Sequence, residues 1–222
     1  MQRQKIKSDN LLKTKCTLCK SENCEFLCKD KRRSFLYCND CGLIFVPPYD
    51  HVNLSEEKLR YDKHNNTVNN KGYVKFLEKI VKTVEEHAEK VSAILDFGCG
   101  KSAVLVHLLE KRGYRCIGYD PLYKTGCEQV NSGFDIVILC EVIEHLRALD
   151  TELDFIRGLL KPRSKVIIRT QLYKTPDSIC DWWYARDITH INFFSKKSIE
   201  LVGLKIGLEL VSVRNEDIFI FA

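Results

Sequence analysis

Residues 73–89 place Val74, Leu77, Ile80, Val81 and Val84 at helical spacing and predict an amphipathic helix behind Gly72. Glu56 to Arg60 reads as a shorter helix. The polar stretch Tyr61 to Asn66 carries no periodicity and predicts a loop or a helix end. Ala93 to Phe97 is an apolar run that contains Asp96 and stops at Gly98, Cys99 and Gly100. Val104 to Leu109 continues as a helix ending at Gly113, and Cys116 to Tyr119 is a second apolar run ending at Asp120. Strand, glycine turn, helix and strand make a β-α-β unit, whose ligands bind at the carboxyl ends of the strands. The glycines allow close approach of a ligand, and the second acid can accept hydrogen bonds from ribose hydroxyls.

The first fifty residues have a different pattern. Cys16 and Cys19, and Cys38 and Cys41, form two C-x-x-C pairs separated by 18 residues. Each pair can place two thiolates on one metal through a tight turn, and two such turns complete the tetrahedral four-cysteine site that zinc prefers. Gly42 follows the second pair, where a positive φ is expected. Glu25 to Cys28 and Ser34 to Tyr37 read as the short strands of a zinc ribbon, Leu43 to Val46 as a closing apolar run, and Pro47 and Pro48 as its end. Four thiolates leave no open coordination position, so the expected role is structural. Cys24 and Cys28 fit a knuckle less well and are expected to be free thiols.

Composition adds limits. The chain has 222 residues, 45% hydrophobic and 29% charged, as in an ordinary soluble globular protein. No run of 18 apolar residues exists, which excludes a spanning helix, and no membrane partner is expected. The amino terminus has no apolar core of a secretory signal, and the 11 cysteines are an odd number. Both argue against a disulfide framework and for a reducing, cytoplasmic location. Residues 1–33 hold ten Lys/Arg against four Asp/Glu, a net of +6, whereas the rest of the chain nets −1. That segment is either a solvated basic face or a contact for nucleic acid or another anionic surface.

The glycine turn lacks the spacing of a pyrophosphate binder: Ser102 stands at the last glycine position, and Asp96 lies two residues before the first glycine. This resembles motif I of the class I S-adenosylmethionine-dependent methyltransferases. Phe134 to Leu146, with Cys140, Glu141, Glu144 and His145, resembles that family's fourth strand and its E-x-x-E-H-L turn. Lys161 to Ser164 with Val166 to Arg169 resembles its L-K-P-G-G turn and fifth strand. Leu208 to Val213 and Ile218 to Phe221 resemble its terminal hairpin. More narrowly, Tyr61 to Asn66, the Tyr119-Asp120-Pro121 triplet and the aromatic segment Trp182 to Phe194 resemble a zinc-ribbon-bearing subgroup, whose layout is shared by methyltransferases of activated sugars and of ribosomal RNA.

The resemblance implies an α/β fold: a Rossmann-like methyltransferase sheet with helices on both faces, behind a small amino-terminal zinc ribbon. The implied divisions are residues 1–50 for the ribbon, 51–90 for a helical linker contributing to the active site, and 91–222 for the methyltransferase domain. Two departures stand out. Arg163 and Ser164 replace the paired glycines. Only 14 residues separate Asp120 from Asp135, too few for two helices of about 10 residues and a strand of about 5. The third strand should therefore be missing or reduced, and backbone near Lys124 to Cys127 is the candidate reader of the adenine.

The implied cofactors are S-adenosylmethionine and a structural Zn²⁺. Asp96, Gly98, Cys99 and Gly100 should line the methionine end, Asp120 and Pro121 the ribose, and Cys140 and Glu141 the strand edge beside it. Asp96 could instead only cap the turn. Tyr61 and His64 either close over the cofactor or lie at the surface. A sulfonium methyl is already activated, so catalysis needs in-line positioning and removal of a proton. His190 is the candidate general base, or else a histidine hydrogen-bonded beneath the aromatic segment. His145 is the second candidate, or orients its loop. Some of Trp182, Trp183 and Tyr184 should line an acceptor pocket or cover the cofactor, with at least one packed in the core. The expected activity is methylation of a small molecule, plausibly a sugar or related metabolite. The alternatives are an RNA or protein substrate gripped by the basic ribbon, and a zinc-dependent interaction protein without turnover.

Overall fold

The computed structural model describes residues 14–126, 130 and 133–222. Its main sheet contains β4 (Ala93–Phe97), β5 (Arg115–Tyr119), β6 (Phe134–Cys140), β7 (Leu160–Arg169), β9 (Leu210–Arg214) and β10 (Ile218–Phe221), in the order β5-β4-β6-β7-β10-β9. The first four are parallel, and β10 and β9 are antiparallel additions at one edge. Among the described residues no strand lies between Tyr119 and Phe134, in agreement with the shortened connection. Cys127, at the end of the segment expected to read the adenine, lies outside the described residues.

Period-2 alternation sorts the side chains onto two buried faces. Ile94, Ile136, Ile138, Ile167 and Ile218 face α2 (Lys71–His87) and α3 (Val104–Lys111). Leu95, Val137, Leu139, Val166, Ile168, Phe219 and Phe221 face α4 (Leu149–Leu159) and α5 (Lys196–Ile206). The apolar stripe Leu77, Ile80, Val81 and Val84 is the buried face of α2, and the Asn70 side chain caps that helix by accepting from the N–H groups of Gly72 and Tyr73. The shorter helix α1 (Leu54–Tyr61) starts at a capping box between Asn53 and Glu56 and includes Tyr61 as its last residue.

The amino-terminal strands β1 (Cys24–Lys29), β2 (Ser34–Cys38) and β3 (Ile44–Phe45) form an antiparallel sheet. Its fourth member is β8 (Asn192–Phe193), paired with β3. The ribbon is thus completed by residues from the far end of the chain. Leu18, Leu36, Leu43 and Phe45 also enter the same core as α4 and α5. Cys28, expected as a free thiol, is disulfide-bonded to Cys180 across 152 residues. The reason is tertiary: β1 packs against the 3-10 segment Pro176–Asp181, which brings the two sulfurs together. The turn where Arg163 replaces a family glycine is held with Arg163 at φ +63°, in the left-handed region that costs a side-chain-bearing residue strain.

Candidate active site

The strand ends build a cavity of about 580 Å³, inside the usual small-molecule range of about 300–1,000 Å³. Its floor is the turn after β4. Gly98 sits at φ +80°, and a Cβ there would meet Val142 Cγ2 at 2.5 Å, so only glycine fits. The N–H groups of Gly98 and Cys99 both donate to the Tyr119 carbonyl, at 2.7 and 3.1 Å, tying the turn to β5. Asp120 completes the tie: its carboxylate accepts from the N–H groups of Gly100 (3.0 Å), Leu122 (3.0 Å) and Tyr123 (3.2 Å). Burial pushes the Asp120 carboxyl up despite these donors.

The wall brings together Tyr61, His64, Gly98, Cys99, Gly100, Asp120, Cys140, Glu141, His145 and His190, from the helical linker, three strand ends and the carboxyl-terminal third. Asp96 and Pro121 are not on it. Asp96 is 3% exposed beneath the turn, where burial, and then the neighbouring Asp120, push its carboxyl up to about 7. Pro121 faces solvent. Residues the sequence did not single out also line the cavity, among them Tyr73 and Phe76 of α2, Tyr123 and Asp187. The two aromatics of α2 lie on a helix whose periodic signal reports only its core face. Asp187 carried no signal apart from its place among the aromatics.

Glu141 follows β6 directly at φ +54°, a left-handed conformation for a residue with a side chain, which holds it at the cavity wall. Its Oε2 accepts from the Tyr184 hydroxyl at 3.2 Å. The same hydroxyl donates to Glu144 Oε1 at 2.5 Å, and Thr170 donates to Glu144 Oε2 at 3.1 Å. Burial raises both carboxyls. Asp187 behaves oppositely: burial pushes its carboxyl up, but donors from Thr189 and Arg60 outweigh that and hold it well below the carboxylate range.

His145 and His190 meet edge to face, with ring centroids 4.6 Å apart. Their Nδ1 atoms lie 3.0 Å from the Thr189 carbonyl and 2.8 Å from the Tyr184 carbonyl. A carbonyl only accepts, so each Nδ1 carries the proton and each Nε2 keeps a lone pair in the neutral ring. Burial, and then His145, pull His190 down to about 3, so its imidazole is neutral at pH 7 but a much weaker base than an exposed one. The expectation that Trp182 or Trp183 lines the pocket is not met. Trp182 packs on Tyr184 and on Phe193 of the ribbon sheet, and Trp183 is 64% exposed. Tyr184 reaches the site only through its hydroxyl.

One basic residue of the amino-terminal segment is structural. Arg33 is 1% exposed and donates to the carbonyls of Ala185 (2.5 Å), Asp187 (2.9 Å) and His190 (3.0 Å), with Asp30 as its ion-pair partner at 2.8 Å. Lys15 and Lys20 pair with Glu22 and Asp150. Three of the six described basic residues of that segment are therefore partnered within the chain.

Away from the cavity, Cys16, Cys19, Cys38 and Cys41 place their sulfurs within 4.8 Å of one another, with Cys16 and Cys41 at 3.6 Å and Cys19 and Cys38 at 3.5 Å. Gly42 takes φ +72°, as its place after the second pair predicted.

A mostly parallel sheet with helices on both faces, and a cavity at its carboxyl edge around a glycine turn and Asp120, define a Rossmann-like cofactor-binding enzyme domain. The sequence matches a family model described as a methyltransferase domain over residues 64–213. The chain belongs to that family, and it is a methyltransferase. No curated protein matches the sequence. Among solved structures, it is similar to the 1,6-didemethyltoxoflavin-N1-methyltransferase of Burkholderia thailandensis with bound S-adenosylhomocysteine. That match has a TM-score of 0.54 and 13% identity, and covers 89% of this chain and 98% of the other. It is also similar to the magnesium protoporphyrin IX methyltransferase of Synechocystis PCC 6803 with bound S-adenosylhomocysteine, with a TM-score of 0.51 and 13% identity, covering 76% of this chain and 93% of the other. Among the described residues no helix is long and apolar enough to cross a membrane.

Proposed function

We propose that the protein transfers the methyl group of S-adenosylmethionine to a small-molecule acceptor bound in the same cavity. The observation that carries this reading is the joint wall. One side is the glycine turn with Asp120, suited to the cofactor, and the other is His145, His190, Glu141 and Asp187, suited to a polar acceptor. Asp120 presents a fixed carboxylate to the ribose hydroxyls, while Tyr61 and His64 of the linker cover the cavity. The two solved relatives act, by name, on toxoflavin-type and porphyrin substrates, which supports a small acceptor over a macromolecule.

The four-cysteine cluster is proposed as a structural zinc site. Sulfurs about 2.3 Å from one tetrahedral ion stand about 3.8 Å apart, and the observed 3.5 and 3.6 Å pairs fit that spacing. The metal would hold β2 and β3 together at their turn and take no part in methyl transfer. The reading is tested by calorimetry with S-adenosylhomocysteine and by a panel of candidate acceptors with methyl-labelled cofactor. Micromolar cofactor binding and label in a small acceptor support it. Failure to bind, or label appearing only in RNA or protein, overturns it.

A further inference from the structure

We propose a second metal site, formed by Glu144, His145 and His190, that takes one first-row divalent cation at the acceptor side of the cavity. One carboxylate oxygen of Glu144 and one nitrogen from each ring lie within 4.8 Å of one another. Donors about 2.0–2.2 Å from a shared ion stand at most about 4.4 Å apart, so the cluster closes on a cation with shifts of a few tenths of an ångström.

Three further observations point the same way. Both rings donate Nδ1–H to a backbone carbonyl, of Thr189 and of Tyr184. That is the outer-shell arrangement that fixes the tautomer and orientation of metal-ligating histidines and leaves Nε2 for the ion. Glu144 is 0% exposed and oriented by two hydroxyls, those of Tyr184 and Thr170, yet makes no ion pair among the described residues. Arg169, the nearby cation, is engaged with Asp217 at 2.8 Å. A carboxylate so deep in the protein is stabilised by a cation bound directly to it. Glu141 shares the Tyr184 hydroxyl with Glu144, and its other oxygen lies 3.9 Å from Arg169.

Two imidazoles and a carboxylate suit manganese, iron, cobalt or zinc better than the soft-ligand metals that thiolates select. In contrast to the closed four-cysteine cluster, three protein ligands leave coordination positions open, and both histidines face the cavity. Resting on the small-acceptor reading above, this assigns the acceptor to a class that presents hydroxyl or carboxylate oxygens to the ion.

Mn²⁺ is the probe, because its free-ion paramagnetic resonance signal disappears on binding and thiolates compete for it poorly. The full chain is titrated with Mn²⁺, with the cysteine-bound metal left in place. Binding of S-adenosylhomocysteine is measured separately. The expected result is one Mn²⁺ per chain, with affinity weakened at least about tenfold in His145→Asn and in Glu144→Gln. Glu144→Gln keeps the shape of the carboxylate, accepting from one hydroxyl through its oxygen and donating to the other hydroxyl oxygen through its amide, and decides the matter if His145→Asn does not fold. No binding to the wild type at millimolar Mn²⁺, or equal binding to wild type and variants, overturns the site. Cofactor binding without Mn²⁺ binding would leave the methyltransferase intact and remove only this site. Mn²⁺ binding without cofactor binding would do the reverse.

Discussion

Replacing Arg33 by Met separates the ribbon's structural contribution from its charge. Met fills most of the space of the arginine stem and removes the guanidinium. The carbonyls of Ala185, Asp187 and His190 then lose a buried donor, and Asp30 loses its cation but keeps the N–H groups of Arg32 and Arg33 at 2.7 and 2.6 Å. Breaking a buried, hydrogen-bonded charge in this way costs about 3–5 kcal/mol. For a chain of this size each kcal/mol moves the unfolding midpoint by about 2–4 °C, so Tm should fall by about 6–20 °C. The released carbonyls belong to the segment that carries Asp187 and His190, so acceptor KM should rise more than the Kd for S-adenosylhomocysteine. Arg33→Lys should recover only part of the loss, because one ammonium cannot reach three carbonyls and a carboxylate with the guanidinium's planar fork. Thermal unfolding followed by circular dichroism, with cofactor calorimetry alongside, provides both readings. A Tm within about 2 °C of wild type would refute the argument that this side chain pins the segment.

Four-cysteine ligation predicts one zinc per chain by elemental analysis and its loss in Cys16→Ser, with the ribbon unfolding; a fully folded metal-free wild type would contradict it. If Asp120 reads the ribose as proposed, through hydrogen bonds worth about 1.5–3 kcal/mol each, Asp120→Ala should raise cofactor Kd by at least about tenfold; equal affinity would remove Asp120 from the site. Asp96 has a folded pKa of about 7, above the ordinary 3.8, so its neutral form is the one the fold favours. Its contribution is full below the unfolded pKa and is lost as pH rises through the folded one. The stability advantage of Asp96→Asn over wild type should therefore grow from acid pH to pH 8, and a pH-independent difference in Tm would contradict this. The disulfide between Cys28 and Cys180 closes a long loop, and the chain-entropy model assigns such a crosslink several kcal/mol, on the order of 5. Reduction should lower the denaturation midpoint without releasing zinc, as read by urea titration with and without reductant.

The glycine turn and its flanking strands were legible because their signals are local. Ala93 to Phe97 reads as one short apolar run with Gly98, Cys99 and Gly100 directly behind it; that Val142 leaves no room for a Cβ at Gly98 is a tertiary fact that only the structure adds. The shortened connection after Asp120 was legible from length alone. What escaped the sequence was non-local. β8 is two residues long, too short to show a period, and it is a strand only because β3 lies beside it. Cys28 and Cys180 carry no pattern that links them. Arg33 read as one more basic residue, since charge counting cannot tell a solvated cation from a buried one. The wall from α2 was hidden for a related reason: helical periodicity marks Leu77 and Ile80 as core but says nothing about which exposed-face aromatics a neighbouring cleft will recruit. The aromatic segment was legible in part: Trp182 packs on the ribbon's Phe193, as the core reading of one of these rings expected, whereas Trp183 is exposed and does not line the cavity.

The pairing of β3 with β8 has a consequence for synthesis. Ile44 and Phe45 leave the ribosome early, but Phe193 and Asn192, their partners, follow all four parallel strands of the main sheet. At about 5–20 residues per second the interval is on the order of ten seconds. Through that time the nascent ribbon has its four cysteines but an open edge. The proposed zinc site, Cys16, Cys19, Cys38 and Cys41, is complete in the chain long before Asn192 arrives, whereas His190 lies two residues ahead of Asn192 and is synthesised with that late edge. If the four-cysteine cluster holds zinc as proposed, the order of translation puts metallation before completion of the cavity wall, and a chain stalled before residue 192 would carry a metal-bound ribbon beside an unfinished cavity.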